Sequence, residues 1–287
     1  MRTGVAKFLR WSARRAGGVV VTVLLGGLLT AAMVRLSPGF DVDERLLDAR
    51  LDSQSLAAIR AEHQANSNIW SFYVRHLGGM LRGNLGESPS LRQPIASLIR
   101  DRAPVTAELM ALGVVGGWTL AFALALPAVI MRRRVFARCA GALSTAMLCL
   151  PPAAVAVGIF AWGGPVRFIV ALVLFPRLYD YARNLLEDGY RRPHIVTARA
   201  KGIAPARILL RHVLPLCAPQ FLALAGVSVS MAFGACIPVE TLCDMPGLGQ
   251  LAWKAATARD LPLLVCLTML VTVATQLCNG APDEVAA

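Results

Sequence analysis

Residues 190–215 read YRRPHIVTARAKGIAPARILLRHVLP, a polar and basic stretch set between two apolar segments. Pro193 suits the first turn of a short helix, where a missing N–H costs nothing. That helix is expected to run to Lys201 and stop at Gly202, because glycine tolerates the left-handed conformation of a helix end. Pro205 then opens a second helix and Pro215 closes it. Arg207 and Arg211 fall four residues apart on one face of this second helix. The product is two short helices joined at a glycine hinge, bearing positive charge.

The rest of the chain says what that charge faces. Of 287 residues, 56% are hydrophobic and 16% charged, with a mean hydropathy of +0.58; soluble proteins average about 25% charged. The apolar residues are clumped into runs, so the fold class is all-α and polytopic in a membrane. A net charge of +12 would suggest nucleic acid in a soluble protein, but its placement argues otherwise. Met1–Gly18 holds five basic residues and no acid, Arg132, Arg133, Arg134 and Arg138 crowd one short segment, and Arg177–His212 holds eight basic residues against three acids. Ser37–Ala103, by contrast, carries eight of each sign. Excess Lys and Arg marks cytoplasmic loops, so the charge reports topology and no nucleic-acid partner is expected.

The domain reading follows in order. Residues 1–18 form a basic cytoplasmic N-terminus and 19–35 the first transmembrane helix; a cleaved signal peptide is the rival reading, but the run exceeds a usual signal core. Residues 36–103 form an extracytoplasmic amphipathic segment, with short helices at Ser55–His63 and Asn68–Leu81, a glycine-rich turn at RGNLGESPS, and a further helix at PIASLIRDRAP. Trp70, Phe72 and Tyr73 read as anchors at the lipid headgroups. Residues 104–280 form the main transmembrane domain: spans at Val105–Met131, at Cys139–Trp162 interrupted by Pro151-Pro152, at Pro165–Asp180, at Leu216–Pro238 and at Leu261–Leu277, with the basic loop at 190–215 on one side and a further non-spanning segment at 240–260 on the other. Residues 281–287 are a tail. The double proline breaks the helix ladder, either to line a pathway or as a packing kink.

Several of these stretches carry a family resemblance. TARAKG (Thr197–Gly202), followed thirteen residues after its glycine by Pro215 in Val213-Leu214-Pro215, resembles the EAA loop of ABC-importer permeases in the form found in the dipeptide/oligopeptide/nickel class. Ser37-Pro38-Gly39-Phe40, the Tyr73 and Arg82–Ser88 pair, PVTAEL at Pro104–Leu109 and VETLCDMPGLG at 239–249 are similar to segments of the same family. Pro193 stands where that class often has an acid, His212 where a branched apolar residue is usual, and Asn84 where Asp is usual; Cys243, Asp244 and Met245 also depart from the pattern. The resemblance covers about residues 5–280 and is weakest at 140–185.

The resemblance implies a permease of about six spans in a bacterial plasma (inner) membrane, N-terminus in the cytoplasm. Thr197, Ala198, Arg199, Ala200, Lys201, Gly202, Arg207 and Pro215 would form the loop that docks into a cleft on an ATP-binding subunit. Glu240, Pro246, Gly247 and Gly249 would mark the outer re-entrant segment. Implied partners are a second homologous permease, two ATP-binding subunits, an extracytoplasmic substrate-binding protein and lipid. Peptides, nickel complexes, glutathione and sugars all remain open as substrates.

The residues themselves point away from enzymatic chemistry. The sequence holds no G-x-x-x-x-G-K-[ST] phosphate loop, no G-x-S-x-G elbow and no H-E-x-x-H helix. Its four histidines and seven cysteines show no metal-ligand spacing, so no catalytic residue, cofactor or metal is expected. Only Cys236 and Cys243 are placed to meet near an oxidising surface. Ionisable groups near the spans are limited to Glu108, Arg167 and Glu240, which counts against a proton or ion relay. A one-component secondary transporter and a non-transporting membrane sensor or assembly protein stay open as alternatives.

Overall fold

The computed structural model describes residues 2–36, 69–130 and 134–279. The expected helix at Ser55–His63, the Ser37–Phe40 segment, most of the basic run at 131–133 and the tail lie outside the described residues. The chain divides into two compact units, Met1–Asp101 with Leu251–Ala274, and Arg102–Gln250 with Thr275–Ala287.

In order, the helices are α1 (Arg2–Leu36), α2 (Ile69–Leu81), α3 (Ile95–Ile130), α4 (Arg134–Leu148), α5 (Pro152–Ala161), α6 (Ile169–Arg191), α7 (Pro193–Ala200), α8 (Pro205–Ile208), α9 (Leu214–Leu242), α10 (Leu248–Thr257) and α11 (Leu261–Asn279). A two-stranded antiparallel hairpin pairs β1 (Glu87–Ser88) with β2 (Gln93–Pro94). Among the described residues, four helices are long and apolar enough to cross a membrane: 16–36 within α1, α3, the continuous run 205–242, and α11. A fifth arises if α4 and α5, bent by 97° at Pro151-Pro152, count as one broken span. The polytopic all-α class stands. The stretch expected as the fourth span, Pro165–Asp180, runs through a short 3-10 turn at Val166–Phe168 into the apolar half of α6. That helix continues to Arg191 and turns polar, with Arg183, Glu187 and Asp188 in its second half.

In the first unit, α1, α2 and α11 share a core of Val23, Ala31, Phe72, Tyr73, Val265 and Met269. The Tyr73 hydroxyl donates to the Leu24 carbonyl at 2.6 Å. Phe72 and Tyr73 are therefore core residues, 7% and 5% exposed, and not the headgroup anchors expected from sequence; Trp70 is 64% exposed. An aromatic side chain suits a core and an interface equally well, and here helix packing decides. The glycine-rich turn forms as expected, with Gly83 at φ 80° and Gly86 at φ 78°. Asn84 Oδ1 accepts the Gly86 N–H at 2.9 Å, the local bond that an Asp there would also make. Asp260, 2% exposed, caps α11 by accepting the Leu263 N–H at 3.1 Å through Oδ1. Its Oδ2 accepts the Ser90 hydroxyl at 2.7 Å and the Ser88 hydroxyl, which fastens the hairpin to the start of that helix.

In the second unit, α6 is the central helix, packing chiefly on α9 and α4. Its buried face includes Ile169, Leu174, Leu178, Tyr179, Ala182 and Leu186. Helix α3 reaches it through Gly113, Gly116 and Gly117; a β-carbon at Gly113 would collide with the Val170 side chain. Small residues allow such close backbone approach where a hydrophobic drive between helices is weak. Trp118 and Phe122 of α3 stack on each other and meet Phe221 of α9 edge-on, and the Trp118 indole donates to Ser228 at 3.2 Å. Glu108 and Arg167 pair at 3.0 Å with exposed side chains.

Candidate functional site

Residues 190–205 fold locally as Pro193, Gly202 and Pro205 dictate. Arg192 is extended at φ −62°, ψ 139°, the conformation a following proline imposes, and Pro193 occupies the first turn of α7. At the other end the Gly202 N–H donates to Arg199 C=O at 2.9 Å and the Ile203 N–H donates to Ala198 C=O at 3.3 Å. These are the paired bonds of a Schellman turn, which needs a left-handed residue at its second-last position. Gly202 supplies it at φ +74°.

The loop has an inner and an outer face. Ile195 and Ala198 are buried against the bundle, at 0% and 6% exposure. Thr197, Ala200, Lys201, Gly202 and Arg207 are exposed. A β-carbon at Gly202 would meet nothing within 4 Å, so the turn stands clear. Arg199 is half-buried, its guanidinium carbon 5.0 Å from the centre of the Tyr190 ring. Val196 and Leu210 add apolar exposure, at 57% and 65%.

Pro215 does not close the second helix. Helix α8 passes through a π-turn at Leu209–Val213 directly into α9, with Pro215 in that helix's first turn. Inside that continuous run Pro215 has no N–H to donate to the preceding turn, and the wider π-turn is the usual way a helix absorbs such a disturbance. His212, within the π-turn, leaves Nδ1 buried and without a partner among the described residues.

The second candidate segment begins in the last turn of α9, a helix of 29 residues and roughly 43 Å at 1.5 Å per residue. Glu240 is fully buried there. Its carboxylate accepts the Thr106 hydroxyl at 2.7 Å, the Gly249 N–H at 2.7 Å and the Gln250 N–H at 3.2 Å. Thr106 Oγ1 in turn accepts the Leu248 N–H at 2.7 Å. A β-carbon at Gly247 would land on the carboxylate, and one at Gly249 would sit 2.8 Å from Ile237 Cα. Glu240, Gly247 and Gly249 thus form one node, while Pro246 is exposed beside it. Gln250 extends the node, donating to Asp244 at 2.8 Å and accepting from Arg102 at 3.1 Å. Cys236 and Cys243 are both free thiols, and burial pushes the Cys243 thiol up.

Sequence reasoning missed Tyr190 as the platform for Arg199, and Thr106 and Gln250 as partners of Glu240. Thr106 lies within the PVTAEL motif that was singled out, so only its pairing was hidden.

A family described as the binding-protein-dependent transport system inner membrane component matches residues 113–280, more than half of the chain and including both candidate segments. This chain belongs to that family. Curated relatives extend the likeness over nearly the whole length. The di/tripeptide transport system permease protein DppB of Pseudomonas aeruginosa (strain UCBPP-PA14) is 24% identical, with 96% of each chain covered. The oligopeptide transport system permease protein OppB of Escherichia coli (strain K12) is 27% identical, with 92% of each covered. The glutathione transport system permease protein GsiC of Salmonella paratyphi A (strain ATCC 9150 / SARB42) is 22% identical, covering 96% of this chain and 95% of its own. The chain is thus a multi-pass inner-membrane permease component.

Proposed function

We propose that this chain pairs with a second homologous permease in an ATP-driven importer of peptides or similar small solutes, with ATP hydrolysed by two partner subunits and substrate delivered by an extracytoplasmic binding protein. The observation that carries the reading is the 193–213 loop. It presents a rigid, left-handed turn at Gly202, flanked by exposed Lys201 and Arg207 and by exposed Val196 and Leu210. A basic rim around apolar side chains is what a docking surface for another subunit requires. The inner face of the same loop is packed into the bundle, so a push on the turn is delivered to α6 and α9. The sequence carries no phosphate loop, so the energy has to come from a partner. Basic residues on the N-terminal leader and on this loop favour a cytoplasmic placement of both. Peptides are the favoured class because relatives that span the chain are named for peptides or for glutathione, itself a tripeptide.

The test is co-purification in mild detergent followed by mass spectrometry. The expected companions are a second permease in about equal amount and two ATP-binding subunits per chain. Steady recovery of the chain without any ATPase would overturn the importer reading.

A further inference from the structure

A cavity of about 400 Å³ opens between α4 and α6, lined by Ala137, Arg138, Gly141 and Arg183. Its lining combines two guanidinium groups with an alanine and a glycine, so the space is left by small residues and faced by cations. Arg183 passes over Gly141, its Nη1 only 3.3 Å from where a β-carbon at that position would sit. Its Nε is held by Glu187 at 2.8 Å, which fixes the side chain while the terminal nitrogen stays on the cavity side. Arg138 is exposed and has no carboxylate partner among the described residues. Two cations against one carboxylate leave the cleft positive, and planar guanidinium groups match phosphate oxygens in pairs.

We propose that this cleft binds the phosphate of an anionic phospholipid headgroup. The neighbouring surface of α4 separates lipid from free phosphate. Val135, 71% exposed, and Ala142, also exposed, stand one turn before and one turn after Arg138 on the same face of α4, giving an acyl chain apolar contact beside the cations. Residues 135–148 are also the first half of the bent membrane pair, with the cleft near its start and the basic run 132–134 just before it. Basic pockets between membrane helices on the cytoplasmic side suit anionic headgroups. The choice of the inner leaflet rests on the cytoplasmic placement proposed above; binding itself does not. The site also has a route to the transport machinery. Glu187, which holds Arg183, lies 3.9 Å from Arg191, and α7 begins two residues later.

The experiment is native mass spectrometry of the full chain, purified with any subunits that accompany it and titrated with phosphatidylglycerol, phosphatidylcholine or inorganic phosphate. One phosphatidylglycerol is expected to bind saturably, about tenfold tighter than phosphatidylcholine, and inorganic phosphate is expected not to displace it. Arg138→Gln and Arg183→Gln should each weaken binding about fivefold, the equivalent of roughly 1 kcal/mol per cation at an anionic surface. Arg177→Gln, an exposed charge on the same helix but outside the cavity, should leave it unchanged. Gly141→Leu keeps both charges and fills the cleft, and it should abolish binding. Equal binding of the two lipids, or by all variants, would mean diffuse attraction and overturn the proposal. Displacement by inorganic phosphate would overturn it in favour of a soluble-anion site. Should Arg183→Gln fail to give a monodisperse protein, Gly141→Leu and the exposed Arg138→Gln decide the matter.

Discussion

Gly202 holds φ at +74° with open space where a side chain would point. A substitution there is penalised by the backbone alone, and a β-branched residue in the left-handed region costs roughly 1–2 kcal/mol or more. The Schellman bonds of residues 202 and 203 would loosen, and the exposed turn would change shape while the buried face at Ile195 and Ala198 stayed put. Gly202→Val is therefore expected to reach normal membrane levels yet lose ATPase association or the coupling of hydrolysis to substrate. Transport at the wild-type rate would reduce 190–215 to an ordinary basic loop. Lys201→Ala removes only an exposed charge and should be milder. At Gly247 the argument is steric. Its β-carbon would displace the Glu240 carboxylate, so Gly247→Ala should lower the melting temperature of the detergent-solubilised protein by an amount corresponding to about 1–3 kcal/mol. An unchanged melting temperature would show that the node is not rigid. The glycine and its neighbours are legible in sequence because the turn is local. Glu240 was singled out, but its acceptor role was not, since Thr106 lies 134 residues away and nothing local announces the pair.

At the scale of elements, prolines show what sequence can and cannot give. Pro193, Pro205 and the Pro151-Pro152 break act where their chemistry says, at helix starts and at a 97° bend. Pro215 does not, because a proline near a helix start and a proline that ends a helix look alike in one dimension. The π-turn before it is set by how α8 must meet α9. Phe72 and Tyr73 follow the same logic, being apolar enough for either environment until α1 and α11 close over them. The start of α11 offers a direct test. Asp260 satisfies one helix N–H and two serine hydroxyls while nearly fully buried. Asp260→Ala would lose the cap and leave those hydroxyls without their acceptor, about 2 kcal/mol in all. The expected result is a lower melting temperature and faster proteolysis within 82–94, where the hairpin is no longer fastened. Asp260→Asn, which keeps one acceptor, should fall between. Equal protease resistance in all three proteins would show the hairpin is held by something else.

For the whole molecule, what remains is which way it faces and what drives it, and the two are linked. In the orientation proposed above, the basic leader and the 190–215 loop would face the cytoplasm and the neutral 37–103 sequence would face outward. The seven native cysteines are all free, three of them exposed, so they must be replaced before labelling. In that background a cysteine at exposed Glu87 should react with an impermeant thiol reagent in intact cells, and one at exposed Thr197 should react only after permeabilisation. That orientation would put the Gly202 turn where cytosolic ATP is available to a docked partner. The driving force then follows from what the chain lacks. It has no phosphate loop, and the Glu108–Arg167 pair near the spans is exposed and so of little energetic weight. Reconstituted alone in liposomes, the chain should neither hydrolyse ATP nor accumulate peptide along a proton gradient. Reconstituted with its ATPase, second permease and binding protein, uptake should appear and stop with a non-hydrolysable nucleotide. Proton-driven accumulation by the isolated chain would overturn the importer reading in favour of a secondary transporter. Labelling at Thr197 in intact cells would instead invert the orientation while leaving the fold untouched.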